Sequence, residues 1–359
     1  LIIRVGAAPE NLPDTIPYGY DPEKNKYIPG IYDNVQLICS NKPFISNVQI
    51  SPNIQDDEIK VQVRLKDKAS SEEIEFDYKV SEDSSGKTVS QGKYRPVNMN
   101  NKKGVSKLTF TIPVPDSHLW SPEDPFLYNL DLSIGTDNIT ERFGMRSFRM
   151  EPGPDGSGRA YLNGKPYYMR GTNVCIFRFF EDSLRGNLPW KEAWARKLHR
   201  KFKSMHWNSM RYCIGFPPER WYEIADEEGF LIQDEYPLWK VHEETHPALA
   251  EEYKAWMKER WNHPCVVIWD AQNETRTPIT GKAIQDVRHL DISKRPWDNG
   301  WAPPQKETDA IETHPYLFHS YRNEKPPKEY LDTLLGEPRI SHNGPNMRSP
   351  KEDGRYQNA

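Results

Sequence analysis

The sequence predicts a multidomain chain, β first and α/β second: an immunoglobulin-like antiparallel sandwich followed by a (β/α)8 barrel that is incomplete within these residues. Three observations predict this. Residues 43–149 contain short segments that alternate apolar and polar residues, the period-2 pattern of strands with one wet face. From residue 167 onward, strand-like runs alternate with amphipathic stretches of helical length, which requires a parallel sheet with crossover helices. Cys265-Val266-Val267-Ile268-Trp269 is an unbroken apolar run, as in a strand buried on both faces.

Length and composition bound the rest. The 359 residues suit two or three domains. Hydrophobic content is 36%, and no run approaches the ~18 apolar residues of a membrane helix. Net charge is -4 with both signs interspersed, which argues against a nucleic-acid partner. The 11 Trp and 18 Tyr fit a carbohydrate partner, because sugars stack their apolar ring faces on such side chains, and they fit a large core equally well. Cys39, Cys175, Cys213 and Cys265 are too far apart in sequence for a zinc or thioredoxin-type motif. Three of them fall in or beside predicted barrel strands, where a small buried thiol is the expected role. No metal or cofactor is expected, and a homo-oligomer is compatible with the sequence. The chain opens on Leu1-Ile2-Ile3-Arg4-Val5, as if inside a strand, and residues 354–359 carry no terminating pattern. It reads as a piece of a longer polypeptide.

In order, Gly30-Ile31-Tyr32-Asp33-Asn34-Val35-Gln36-Leu37 alternates like a strand closing a first domain over 1–42. Val48-Gln49-Ile50 and the runs over 59–65, 74–80, 108–112 and 127–134 are the strands of a sandwich over 43–150, a size that suits an immunoglobulin-like fold. Residues 152–158 form a junction, and Asn163-Gly164 turns a hairpin at the start of the barrel domain, 151–359. Residues 167–173 are the first barrel strand. A helix follows over 190–205 with Trp190, Trp194, Leu198, Phe202 and Met205 on one face. Residues 208–213 are strand two. Pro217-Pro218 starts a helix that Gly229 stops. Residues 230–235 are strand three, and Leu249, Tyr253, Trp256 and Met257 stripe the next helix. Strand four is 265–269. Just past it stand Asn273 and Glu274, at the end of the strands where parallel barrels do chemistry. A carboxylate there is a candidate acid; otherwise it caps the next helix.

Asn262-His263-Pro264, a hydrophobic strand, then Trp269-Asp270-Ala271-Gln272-Asn273-Glu274 resembles the acid/base signature of glycoside hydrolase family 2, which includes β-galactosidases, β-glucuronidases and β-mannosidases. Leu119-Trp120-Ser121-Pro122 and Phe143-Gly144-Met145-Arg146 resemble the family's links between sandwich and barrel. The resemblance implies that 1–42 ends a jelly-roll sugar-binding domain and that 151–359 is a truncated TIM-barrel catalytic domain. It implies a retaining exo-β-glycosidase, nearest to β-galactosidase, with β-glucuronidase or β-mannosidase as alternatives, and a periplasmic or secreted location. Retaining chemistry needs two carboxylates ~5–5.5 Å apart, one protonating the leaving oxygen and one attacking the anomeric carbon. Glu274 would be the acid/base, its pKa raised by partial burial and a nearby carboxylate. Asn273 would bind the sugar 2-hydroxyl, and Arg211 would steady the nucleophile. Asp234 at the end of strand three, with Glu235 beside it, would contact substrate or form an ion pair. Tyr316 and His314, at the end of a sixth strand over 310–316, would flank the nucleophile, and Trp297 would be a stacking wall.

Departures from the family pattern bear on the sugar. Cys175 and Ile214 stand where the family shows histidines, and Arg178 and Arg185, on the loop after strand one, would meet an acidic sugar or solvent. The nucleophile is not identified in the chain. A barrel of ~250 residues allots ~31 to each unit, which carries strand seven past residue 359. The alternative is Ile340-Ser341-His342-Asn343-Gly344, with His342 in the nucleophile's place. That version would be a non-catalytic carbohydrate-binding protein on a glycosidase scaffold.

Overall fold

The computed structural model describes residues 31–312, apart from short stretches at 67–73, 97–99, 103–104, 153–157, 177–178, 180–181, 183 and 240–244. Tyr316, His314, Arg178 and His342 lie outside the described residues. The alternating segment at 31–37 forms no strand: Val35 and Leu37 stand exposed, and its contacts are of other kinds, the Tyr32 carbonyl accepting from Trp190 Nε1 and the Asp33 carboxylate from the Glu219 amide at 2.8 Å. Alternation prepares a segment for a sheet, but an extended strand still needs a neighbour for its amides.

The first domain is a sandwich of two antiparallel sheets. In chain order its strands are β1 (Phe44–Asn53), β2 (Glu58–Lys66), β3 (Phe76–Glu82), β4 (Thr88–Tyr94), β5 (Asn100–Lys102), β6 (Val105–Pro113), β7 (Tyr128–Ile134) and β8 (Asp137–Phe143). One sheet runs β1-β2-β6-β5 and the other β4-β3-β7-β8. The inward positions of the alternating sequence, among them Val61, Val63, Phe76, Val80, Leu130 and Phe143, form a common core. Strands β9 (Phe148–Pro152), β10 (Gly158–Leu162) and β11 (Lys165–Tyr167) make a small sheet at the entrance to the second domain.

There β12 (Gly171–Val174), β13 (Ser209–Tyr212), β14 (Leu231–Glu235), β15 (Val266–Asp270) and β16 (Trp297–Asp298) pair in sequence order, all parallel. Helices α1 (Glu192–Ser204), α2 (Glu219–Glu228), α3 (His246–Arg260) and α4 (Pro278–Val287) cross between them. This is the first part of a β/α barrel, and β15 is its fourth strand. Gly229 ends α2 with φ +74, and a Cβ there would lie 2.5 Å from the Pro122 carbonyl, so the stop requires glycine twice over. Trp190 and Met205 fall outside α1 and are 43% and 40% exposed, so the buried face of that helix is shorter than its apolar stripe. Trp256 packs edge-on against Trp269 at 5.0 Å and against Trp297 at 6.0 Å, filling the layer between sheet and helices. Truncating such an indole to Ala costs about 3–5 kcal/mol.

The residues that resembled interdomain links do join the domains. Trp120 is fully buried and donates from Nε1 to the Asp226 carbonyl at 2.9 Å. Arg146 donates to the carbonyls of Pro264 and Val266 at 2.8 and 2.7 Å. Asn262 accepts from the Ile50 amide at 2.9 Å and donates to the Val48 carbonyl at 3.0 Å. The sandwich therefore grips the chain just before β15, at the end of the strand opposite Glu274.

Candidate active site

In a strand, successive side chains face opposite ways. On β13, β14, β15 and β16 the inward residues are Arg211, Gln233, Glu235, Asp270 and Asp298, and they meet. Arg211 Nε donates to Asp270 Oδ2 at 2.8 Å. Its Nη2 donates to Asn273 Oδ1 at 3.3 Å and to Glu312 Oε2 at 3.1 Å, and also pairs with Glu235. Gln233 Nε2 donates to Asp270 Oδ2 at 2.8 Å and to Asp298 Oδ2 at 3.1 Å. Three carboxylates thus contact one guanidinium and a fourth, Asp298, joins them through Gln233, all nearly solvent-free. Burial pushes the Glu235 carboxyl well above the ordinary range; Arg211 opposes this, while Asp270 and Glu312 add to it. Burial, then Asp270 and Glu312, push Asp298 up likewise. Arg211 is the one cation among these carboxylates, and burial favours the protonated form of Glu235 and Asp298.

Glu274 follows directly. It is half-buried and sits at φ +49, a left-handed conformation that non-glycine residues seldom adopt. Asn273 is 4% exposed, its amide donates to the Leu238 carbonyl at 2.9 Å, and its side chain is held by Arg211. Glu274 does not cap the next helix. Thr277 does, its Oγ1 accepting from the Ile279 amide at 3.2 Å. Strained backbone of this kind, fixed on both sides, is found where a side chain must be aimed.

Two expected site residues belong elsewhere. Asp234 is fully buried on the opposite face of β14, accepting from Tyr222 Oη at 2.6 Å and Trp256 Nε1 at 2.7 Å. Burial raises its pKa to about 6, against the pull of Arg260 and those two donors. It braces sheet to helices and cannot touch a sugar. Trp297 is 1% exposed among Tyr253, Trp256 and Trp269, so it presents no free face for stacking. In both places the inward residue is the neighbour, Glu235 or Asp298. Arg185 pairs with Asp182. Ile214 stands at φ +53, its amide donating to Glu235 Oε1 at 2.5 Å.

Sequence reasoning also missed the role of His263. Its Nδ1 meets Asp226 at 2.6 Å and its Nε2 meets Glu219 at 2.7 Å. Burial alone would lower the imidazole pKa, but Asp226 and Glu219 raise it to about 10. It is a doubly protonated clamp on α2. Asp226, His263 and Cys265 lie within metal-binding distance of one another, but both ring nitrogens are committed as donors. Asp270, Asp298 and Glu312 are also close enough to share a hard cation, though Arg211 already stands among them as the positive charge.

Two family models match the chain: glycosyl hydrolases family 2 over residues 44–146, and the TIM barrel domain of that family over 156–299. The chain belongs to glycosyl hydrolase family 2. Among curated relatives, a β-galactosidase of Oenococcus oeni is 27% identical over 219 residues, 55% of this chain and 20% of that protein. A putative β-glucuronidase of Formosa agariphila is 29% identical over 191 residues, 49% of this chain and 17% of that protein. The chain spans about a fifth of the length of the curated relatives it matches. A family 2 member from Bacteroides cellulosilyticus superposes with a TM-score of 0.61 at 17% identity, covering 83% of this chain and 40% of that one. A Ruminococcus gnavus β-glucuronidase does so with 0.55 at 20% identity, covering 72% and 43%. Likeness at these identities shows the fold. In this family 2 chain, no helix among the described residues is long and apolar enough to cross a membrane.

Proposed function

We propose that the protein carrying this chain is a retaining exo-β-glycosidase acting on terminal β-linked sugars, with Glu274 as its acid/base. The observation that carries the reading is Glu274 itself. It is half-buried, held left-handed beyond the fourth parallel strand, and adjacent to an Asn273 fixed by Arg211. As an acid it would protonate the departing glycosidic oxygen; as a base it would then activate water against a glycosyl–enzyme ester. Asn273 would meet the 2-hydroxyl, a contact that strengthens as the ring approaches an oxocarbenium ion. In this reading the nucleophile lies beyond residue 359, and the burial of Glu235, Asp270 and Glu312 around Arg211 supports a nucleophile other than these three.

β-Galactosides are the favoured substrates, since several curated relatives are named β-galactosidases; β-glucuronides and β-mannosides are the alternatives. A panel of chromogenic β-glycosides, tested on the full-length protein, decides among them. Hydrolysis of one epimer well above the others is expected. Tight binding of a free sugar with no hydrolysis of any member would support the non-catalytic binding protein, in which His342 takes the nucleophile's place.

A further inference from the structure

Two thiols meet at the mouth of the barrel. Val174 lies opposite Tyr212 in the parallel ladder, and the pairing extends one step, the Cys213 amide donating to the Val174 carbonyl at 3.3 Å. Cys175 and Cys213, 38 residues apart in sequence, are thereby set side by side with their Sγ atoms 3.1 Å apart. That is closer than the optimum of about 3.5–4.0 Å for a non-bonded pair of carbons. It is about 1 Å longer than a disulfide bond. Neighbouring strands stand about 4.7–4.9 Å apart, inside the Cα range of about 4.4–6.8 Å that a disulfide spans. Neither thiol is in a disulfide here. Closing one draws the sulfurs about 1 Å nearer, with the strand pairing kept and the strain of closure falling on the backbone at Cys175 and Cys213.

The surroundings give the pair consequence. Arg211 lies two residues before Cys213. Ile214, directly after it, is a β-branched residue at φ +53 whose amide holds Glu235, and Glu235 pairs with Arg211. A pull on the Cys213 backbone is therefore delivered to the residues that position Asn273.

We propose that Cys175 and Cys213 form a reversible dithiol–disulfide site, and that closing the bond lowers turnover at the adjoining site. The second half rests on the glycosidase reading; the first does not. The oxidant is a low-molecular-weight disulfide. Cys175 is half-buried and Cys213 fully buried, so Cys175 reacts first. Its thiolate attacks one sulfur of the reagent, the reagent's S–S bond breaks, and one small thiol leaves carrying the proton. Cys213 is held as a thiol by its hydrogen bond with Cys175, by burial and by Glu235. Forming the mixed disulfide removes the first of these restraints. Cys213 then attacks the Cys175 sulfur, the mixed bond breaks, and the second small thiol leaves. Two protein thiols are oxidised and one reagent disulfide is reduced.

The full-length protein, exposed to hydroxyethyl disulfide and then alkylated and digested with trypsin, tests this by mass spectrometry. The expected product has lost two hydrogens and yields one cross-linked peptide joining Cys175 to Cys213. Dithiothreitol reverses it, and neither Cys175→Ser nor Cys213→Ser forms it. Turnover should fall several-fold on oxidation of the wild type and stay unchanged in Cys175→Ser. A lasting mixed disulfide on Cys175, or alkylation of both thiols after exposure, overturns the pair. Cross-linking with unchanged turnover overturns the control of the site. If the reduced protein cleaves no β-glycoside, the functional reading has failed, and the cross-link still decides the thiol chemistry.

Discussion

Arg211 and Asn273 are joined by a hydrogen bond of 3.3 Å that reaches from β13 to the segment after β15, across the width of β14. The residue that neutralises the buried carboxylates is therefore also the one that fixes the neighbour of Glu274. Charge balance in the barrel interior and aim at its mouth depend on one guanidinium.

Arg211→Met keeps much of the side-chain volume and removes the charge. Glu235, Asp270 and Glu312 are left without their cation in a water-poor interior, and the expected loss of stability is about 3–5 kcal/mol. Urea unfolding measures it. The loss should shrink as pH falls, because the abandoned carboxylates then take up protons; a loss that grew toward acid would contradict this account.

Glu274→Gln should leave the fold intact, since Thr277 and not Glu274 caps α4. Removing a general acid typically costs about 10²–10⁴-fold. With alkyl leaving groups the fall in kcat/KM should reach that range. With activated aryl leaving groups, which depart without a proton, it should be much milder. Equal loss for both classes would mean that Glu274 is not the acid.

How far the sequence could be read follows from what each position has to do. The sandwich strands were legible because one face is wet, so alternation is written into Ile59 to Leu65. The proposal for Glu274 rests on the long signature that precedes it. The inward residues of the barrel were not legible. Its strands are buried on both faces, so Leu231-Ile232-Gln233-Asp234-Glu235 carries no alternation to say which face is which. A shift of one residue exchanges the faces. That is why the reading could not separate Asp234 from Glu235 at the end of strand three, and named Trp297 where Asp298 faces inward. His263 belonged to the same signature as Glu274, yet its work is to clamp α2, a contact 37 residues away in sequence that no local pattern expresses. Cys175 and Cys213 met for the same reason, through sheet register and not spacing.

This parity can be measured. Asp234→Asn should change stability, because Tyr222 and Trp256 donate to that carboxylate, while KM for a β-glycoside stays at the wild-type value. Glu235→Gln, one residue on, disturbs Arg211 and should reduce kcat. The opposite pattern, a raised KM in Asp234→Asn with normal stability, would return Asp234 to the sugar pocket.

The His263 clamp makes stability depend on pH in the alkaline direction. Its folded pKa, about 10, lies above the unfolded value of 6.5. The contribution is therefore fully present below pH ~6.5 and is lost as pH rises through ~10. Thermal midpoints of the wild type should fall across that window. In His263→Gln, which keeps hydrogen-bonding capacity and loses the charge, the midpoint should start lower and decline less.

The last prediction concerns stereochemistry and the partner of Glu274. Retention requires a second carboxylate ~5–5.5 Å from the acid, whereas inversion needs ~6.5–9.5 Å to admit a water. Glu235, Asp270 and Asp298 have no exposed surface and Glu312 has 3%. Arg211 holds three of the four, and Gln233 holds Asp298. A nucleophile must approach the anomeric carbon from the face opposite the departing oxygen, and carboxylates fastened beneath the floor of the site cannot do so. Proton NMR of a β-glycoside cleaved by the full-length protein should show the β-anomer of the sugar first, with the α-anomer appearing only by mutarotation. A 2-deoxy-2-fluoro glycoside with a good leaving group should trap an ester on a peptide that contains none of these four residues. Finding the label on Glu235, Asp270, Asp298 or Glu312 would show that the cluster opens during turnover, and the division between a charge-balanced floor and a reacting mouth would have to be abandoned.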